Sequence, residues 1–213
     1  MGTHSMAAVA DLARRAYAAL QQDHLALAED LLLRLIAVAP GDPAYAERLA
    51  MLYQRRGKHG LAIAFAQRAA AQDPEDLHLA RLLGSALEAG GEPDLARAAY
   101  LAAVAAGNNP RHPLVWLALA RLERTQGQLG TAEHYARRAV EIAPHAPEAY
   151  AELARVLLQA AHPGRALAVL ASGLRAAPDD IALLALRDSA LAAVPSAPEA
   201  QDQEEGALHA EPP

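Results

Sequence analysis

Nine histidines, nineteen lysine or arginine residues and 25 carboxylates carry most of the reactive chemistry available here, because the chain has no cysteine. Without cysteine there is no disulfide, no thiolate nucleophile and no thiolate-held metal. The imidazoles are His4, His24, His59, His78, His112, His134, His145, His162 and His209. A helix offers a metal two imidazoles when they stand four residues apart, and a zinc hydrolase adds a glutamate between them. No two of these histidines have that spacing. His59 and His162 fall in turns between helical stretches, where a hydrated imidazole is ordinary. No glycine-rich phosphate loop, nucleophile elbow or kinase signature occurs, and Gly90 with Gly91 reads as a turn. Trp116, Tyr53, Tyr100 and Tyr150 recur at core spacings and read as packing rather than as stacking platforms. The sequence therefore predicts no catalytic, cofactor-binding or metal site, and a protein that is not an enzyme.

The elements around these residues are set by composition. Apolar residues make up 53% of the 213, yet aromatics are only 4%. Alanine dominates, which favours helices packed through small side chains over sheets. The formal charge is −6, and five carboxylates lie in residues 195–213 where no lysine or arginine occurs. The remaining body is almost balanced and lacks the basic surplus of a nucleic-acid footprint. Lys58 is the sole lysine. No apolar run approaches the ~18 residues of a membrane span. Residues 1–6, MGTHSM, read as a cloning scar and are left out of fold reasoning. A cytoplasmic protein is expected, unless a signal peptide has been trimmed from its start.

One stretch, PLVWLALARLERTQGQLGTAEHYARRAVEIAP (113–144), sets the pattern. Trp116, Leu119 and Ala120 share one helix face; Gly127 interrupts; Ala132, Ala136 and Ala139 line a second helix that Pro144 ends. Closing prolines recur at Pro40, Pro74, Pro110, Pro144 and Pro178, separated by 34, 36, 34 and 34 residues. Ala28, Ala62, Ala96, Ala132 and Ala166 recur with them inside the second helices. Asp42, Asp76 and Asp180 stand where a helix N-cap is needed, and Pro43, Pro113 and Pro147 at the first helical position. Ala50, Gly84, Ala120 and Ala154 put small residues on the first helices, where two axes must come close. Two extra residues around Gly107, Asn108 and Asn109 predict a longer turn before Pro110.

This order of residues resembles the tetratricopeptide repeat, a 34-residue helix–turn–helix unit. The resemblance covers roughly residues 9–193 and implies an all-α, right-handed solenoid. Its five repeats are placed at about 9–42, 43–76, 77–112, 113–146 and 147–180, with a capping helix at 181–193. The solenoid as a whole would span 7–194, followed by an acidic, disordered tail at 195–213. Each unit should touch mainly its neighbours. Arg15 and Arg187 replace apolar residues in the end units, as suits faces that meet water.

The resemblance implies a protein-binding scaffold whose first helices line a concave groove. The register one step from the core positions selects Tyr17, Met51, Gln54, Arg55, Arg81, Ser85, Leu117, Arg121, Arg124 and Arg155 as the peptide-binding surface, with Glu47, His78, Glu88, Leu114 and Glu148 beside them. Four arginines on one stripe suit an extended partner segment carrying carboxylates. The asparagines and lysines with which related repeats clamp the acidic tails of cytosolic chaperones are absent from these positions. The partner classes are a protein or peptide, an acidic one among them, and a second copy of the chain. No nucleic acid and no membrane insertion are expected. The alternatives are a self-associating structural scaffold, or an accessory region of a larger enzyme or envelope export protein. The tail's Glu204 and Glu205 would themselves complement the arginine stripe.

Overall fold

A computed structural model describes residues 3–106 and 113–194. Among them the chain is entirely helical: α1 (Thr3–Gln21), α2 (Leu25–Val38), α3 (Pro43–Arg55), α4 (His59–Gln72), α5 (Leu77–Ala89), α6 (Pro93–Ala106), α7 (Pro113–Thr125), α8 (Leu129–Ile142), α9 (Pro147–Gln159), α10 (Pro163–Ala176) and α11 (Ile181–Ala193). α1 begins inside the stretch set aside as a scar. The turn expected around Gly107 and the tail at 195–213 lie outside the described residues.

The caps explain where these helices start. Asp42 Oδ1 accepts from the Ala44 amide at 3.0 Å, Asp76 Oδ1 from His78 at 2.7 Å, and Asp180 Oδ1 from Leu183 at 2.9 Å. Each satisfies an amide that the helix cannot. Proline opens α3, α6, α7, α9 and α10, where its missing N–H is not needed.

Within each unit the turn between its helices is built the same way. One residue takes a left-handed conformation, and two backbone bonds reach back to close the first helix. Gly57, Gly91 and Gly127 hold this place at φ 66°, 79° and 75°. In the first and fifth units Asp23 and Ala161 hold it at φ 57° and 58°. The His162 amide still bonds to the Leu157 carbonyl at 2.9 Å, as Lys58 does to Tyr53. The left-handed well costs a residue with a Cβ about 1–2 kcal/mol.

Packing follows the small residues. Ala28, Ala62, Ala96, Ala132 and Ala166 are all fully buried, as are Ala50, Ala120 and Ala154 on the first helices. Gly84 stands in the same series because the Tyr100 ring of α6 crosses directly over it; a Cβ there would collide with the ring at Cε1. Gly173 sits similarly tight, 2.8 Å from Tyr150 Cβ for a hypothetical side chain. Trp116, expected in the core, packs against its edge. It is half-buried, its ring 5.7 Å from Tyr135, with the Arg138 guanidinium 5.9 Å above it.

Contacts run only along the chain. Helices touch their next neighbour, and first helices α3, α5, α7, α9 and α11 also touch one another in succession. Among the described residues, no two second helices touch. The first helices are thus crowded together and the second helices splayed apart, which places the concave side of the stack on the first helices. Among the described residues no helix of the first unit touches one of the fourth, as a solenoid requires.

Two substitutions test this packing by denaturant unfolding. Gly84→Ala should gain about 1 kcal/mol from helix propensity yet lose more by overpacking Tyr100, for a net cost of about 1–2 kcal/mol. Combining it with Tyr100→Leu should recover part of that loss, and a stabilised single variant would contradict the close approach. Ala161→Gly should instead stabilise by up to about 1 kcal/mol, because it relieves the left-handed strain.

Candidate functional site

Among the described residues, the inner face carries a cavity of about 250 Å³ across α5, α7 and α9. Arg81 and Ser85 line it from α5, Leu114, Leu117, Ala118 and Arg121 from α7, and Glu148, Glu152 and Arg155 from α9. Tyr100 closes its back from α6. A smaller cavity of about 140 Å³ adjoins it at the start of α5 and α7, sharing Arg81 and Leu114. Of the ten residues expected to form a binding surface, Arg81, Ser85, Leu117, Arg121 and Arg155 meet here. Tyr17, Met51, Gln54, Arg55 and Arg124 lie outside this cavity. Tyr17 is half-buried beneath the Arg48 guanidinium at 5.7 Å, and Met51 is 38% exposed.

The polar residues of the inner face are joined from unit to unit. Gln54 donates to Ser85 Oγ at 3.1 Å. His78 Nε2 stands 3.1 Å from Glu47 Oε1. The Arg121 guanidinium is 3.5 Å from Glu88, and Arg124 Nε donates to Glu152 Oε1 at 2.8 Å. Arg155 reaches the other oxygen of Glu152 at 3.1 Å. Arg55 bridges back to Asp23 at 2.6 Å. The arginine stripe is therefore largely engaged by carboxylates of the chain itself, and its function is partly to bind one first helix to the next. These pairs differ in worth. Glu152 is 6% exposed and Arg124 is held in the seam, whereas Arg121 is 52% exposed at its side chain.

Tyr100, Ala118 and Glu152 are the contributors that the helical register did not select. Tyr100 passes over Gly84 so that its hydroxyl donates to Glu88 Oε1 at 2.5 Å. Burial pushes its ionisation up, the bond to Glu88 adds to that, and Arg121 and Arg81 oppose it only weakly. The phenol thus stays a neutral donor. A sequence signal for it existed: the only glycine in the small-residue series stands opposite it. Deeper in the same seam Glu123, 2% exposed, accepts from Arg97 Nε at 2.5 Å, and Arg97 also reaches Asp94 at 2.6 Å. Those two bonds hold the Arg97 guanidinium firmly protonated.

No group of three or more histidines or carboxylates arranged to hold a metal occurs among the described residues. No helix among them is long and apolar enough to cross a membrane. The chemistry of this face is charge pairing around an apolar floor: Leu114 is 47% exposed, and Leu117 is half-buried beside it.

Comparison with known proteins agrees with the geometry. The tetratricopeptide repeat family matches residues 123–194 and, in a second form, residues 13–77 and 81–147. No curated protein matches the chain by sequence. Among solved structures, PilW, a type IV pilus biogenesis factor, superposes with a TM-score of 0.70 at 21% identity, covering 88% of this chain and 87% of its own. A thermophilic TPR protein of Thermus thermophilus gives 0.64 at 23% identity, covering 86% and 99%. YrrB, a TPR protein with an unusual peptide-binding site, gives 0.61 at 17%, covering 81% and 88%. At these identities the likeness is one of fold.

The two kinds of arginine pair predict unequal costs. Arg124→Ala strips a nearly buried carboxylate of its closest partner and should cost about 1–3 kcal/mol in urea unfolding. Arg121→Ala removes an exposed pair and should cost about 0–1 kcal/mol. Equal losses would show that the Glu152 seam does not stabilise the junction between the fourth and fifth units.

Proposed function

The chain belongs to the tetratricopeptide repeat family, and from that premise we propose that it is a non-enzymatic scaffold holding an extended or helical segment of a partner protein in its concave groove. The family's fold is that of protein-interaction scaffolds. The observation that carries the groove reading is the inner cavity, where Leu114 and Leu117 lie open between charged walls. Solvent-facing leucines inside a polar rim are the arrangement of an interface core. YrrB, of the same fold, is described by a peptide-binding site of its own, which supports a peptide as ligand. The outer surface also exposes leucines, such as Leu95 at 54% on α6, but none of them lines either inner cavity.

Selection of binders from a displayed random-peptide library tests the reading. Leu117→Arg should weaken the selected peptides by about tenfold or more, since it fills and charges the apolar floor. Leu95→Arg, on the outer face, should leave them unchanged. Peptides that tolerate Leu117→Arg but not Leu95→Arg would move the interface to the outside of the stack.

A further inference from the structure

We propose that the segment held in this cavity is of mixed charge: an extended stretch in which an acidic and a basic side chain flank an apolar one, with the acid at Arg81 and the base at Glu148. The proposal rests on the groove reading and specifies the chemistry and polarity of what the groove holds.

The pairing pattern singles out these two residues. Arg55, Arg121, Arg124 and Arg155 each have a carboxylate of the chain within ion-pairing distance. Of the five arginines in the expected surface, Arg81 alone has none among the described residues. Its polar contact among the described residues is with His78 Nδ1 at 3.4 Å, and His78 Nε2 is fixed in turn by Glu47 at 3.1 Å. With its proton on Nε2, the imidazole serves both neighbours. Arg81 is thus steadied from behind and not neutralised. It lines both inner cavities.

Glu148 forms the far wall. It is exposed and lies in the first turn of α9, where the helix amides favour a carboxylate. No cation lies within ion-pairing distance of it among the described residues. The carboxylate therefore stands in the cavity with its charge available. Leu114 and Leu117 of α7 lie between the two walls.

Charge complementarity then decides the occupant. A uniformly acidic segment reaches Arg81 but also faces Glu148 and Glu152, and like charges at an interface repel. A uniformly basic one meets Arg81, Arg121 and Arg155. One acid and one base, placed apart, suit both walls. Two helix intervals of about 8–10 Å each separate the axes of α5 and α9, and side chains reaching inward from both shorten the gap. An extended segment rising about 3.3 Å per residue spans that gap in about three to five residues. The cavity, about 250 Å³, falls below the ~300–1,000 Å³ of small-molecule sites, which favours the side chains of a longer chain.

The experiment sequences the peptides selected from the displayed library on the full chain, then measures synthetic copies by fluorescence anisotropy. Acid, apolar and basic residues should recur in one consistent order within about five positions. Arg81→Gln and Glu148→Gln should each weaken these peptides about tenfold. The double reversal Arg81→Glu with Glu148→Arg should prefer copies in which acid and base are exchanged. Circular dichroism melts of the variants verify that they fold. Binders that need Leu117 but are acidic throughout, or that ignore Arg81 and Glu148, overturn this inference and leave the groove reading standing. A library yielding no peptide sensitive to Leu117→Arg removes the groove reading, and this inference with it.

Discussion

The structure depends on helix axes that approach closely at fully buried small residues, Ala132 and Ala120 being one such set in the fourth unit. The small side chains at these crossings have almost no rotamer entropy to lose and leave almost no volume to spare, and buried leucines and tyrosines such as Leu49, Leu119 and Tyr53 fill the space around them. This explains why an alanine-rich chain with 4% aromatics makes a long ordered solenoid. It also explains why contacts run only between neighbours, so that stability accumulates junction by junction. At Gly84 the rule is pushed further, and there Tyr100, the largest fully buried side chain among the described residues, is accommodated.

The polar residues of the inner face solve a second problem. First helices crowd together on the concave side, so charges at their facing positions are partly stripped of water. Isolated charges there would be costly. The chain answers by pairing them across junctions, Gln54 with Ser85, Glu88 with Arg121 and Arg124 with Glu152, and within α9 Arg155 adds a second bond to Glu152. A face described only as arginine-rich would suggest an anion trap. With its own carboxylates in place it is closer to neutral, and selectivity passes to the few groups left unmatched.

Much of the fold was legible in the sequence because punctuation is local. The closing prolines, the aspartate caps at 42, 76 and 180, and the glycines at 57, 91 and 127 each act within a few residues of themselves. Asp23 and Ala161 show the limit: they take the glycine place under strain that composition does not reveal. The cavity was half legible. Helical register brought Arg81, Ser85, Leu117, Arg121 and Arg155 to one face. It could not show that Arg124 is tied up by Glu152, since that bond spans 28 residues and depends on how two helices lie together. Glu152 itself occupies a place held by Arg48, Leu82 and Ala118 in earlier units, so no repeat pattern marks it. Tyr100 reads as core and is core; its hydroxyl, however, reaches Glu88 and the inner cavity through the gap at Gly84.

Why the cavity falls in the third to fifth units follows from the departures of these units from their own pattern. In the second unit the facing positions carry Glu47, Met51 and Gln54. Glu47 is taken up by His78 and Gln54 by Ser85, so that stretch of the groove is bridged. In the fourth unit the equivalent of Glu47 is Leu117, which forms no such bridge and leaves an apolar floor. Without a polar partner on α7 at that level, Arg81 on one side and Glu148 on the other have nothing between them to pair with. The opening is thus a gap in the inter-unit ladder. The same interactions that join the repeats determine, by their interruption, where the inner face opens.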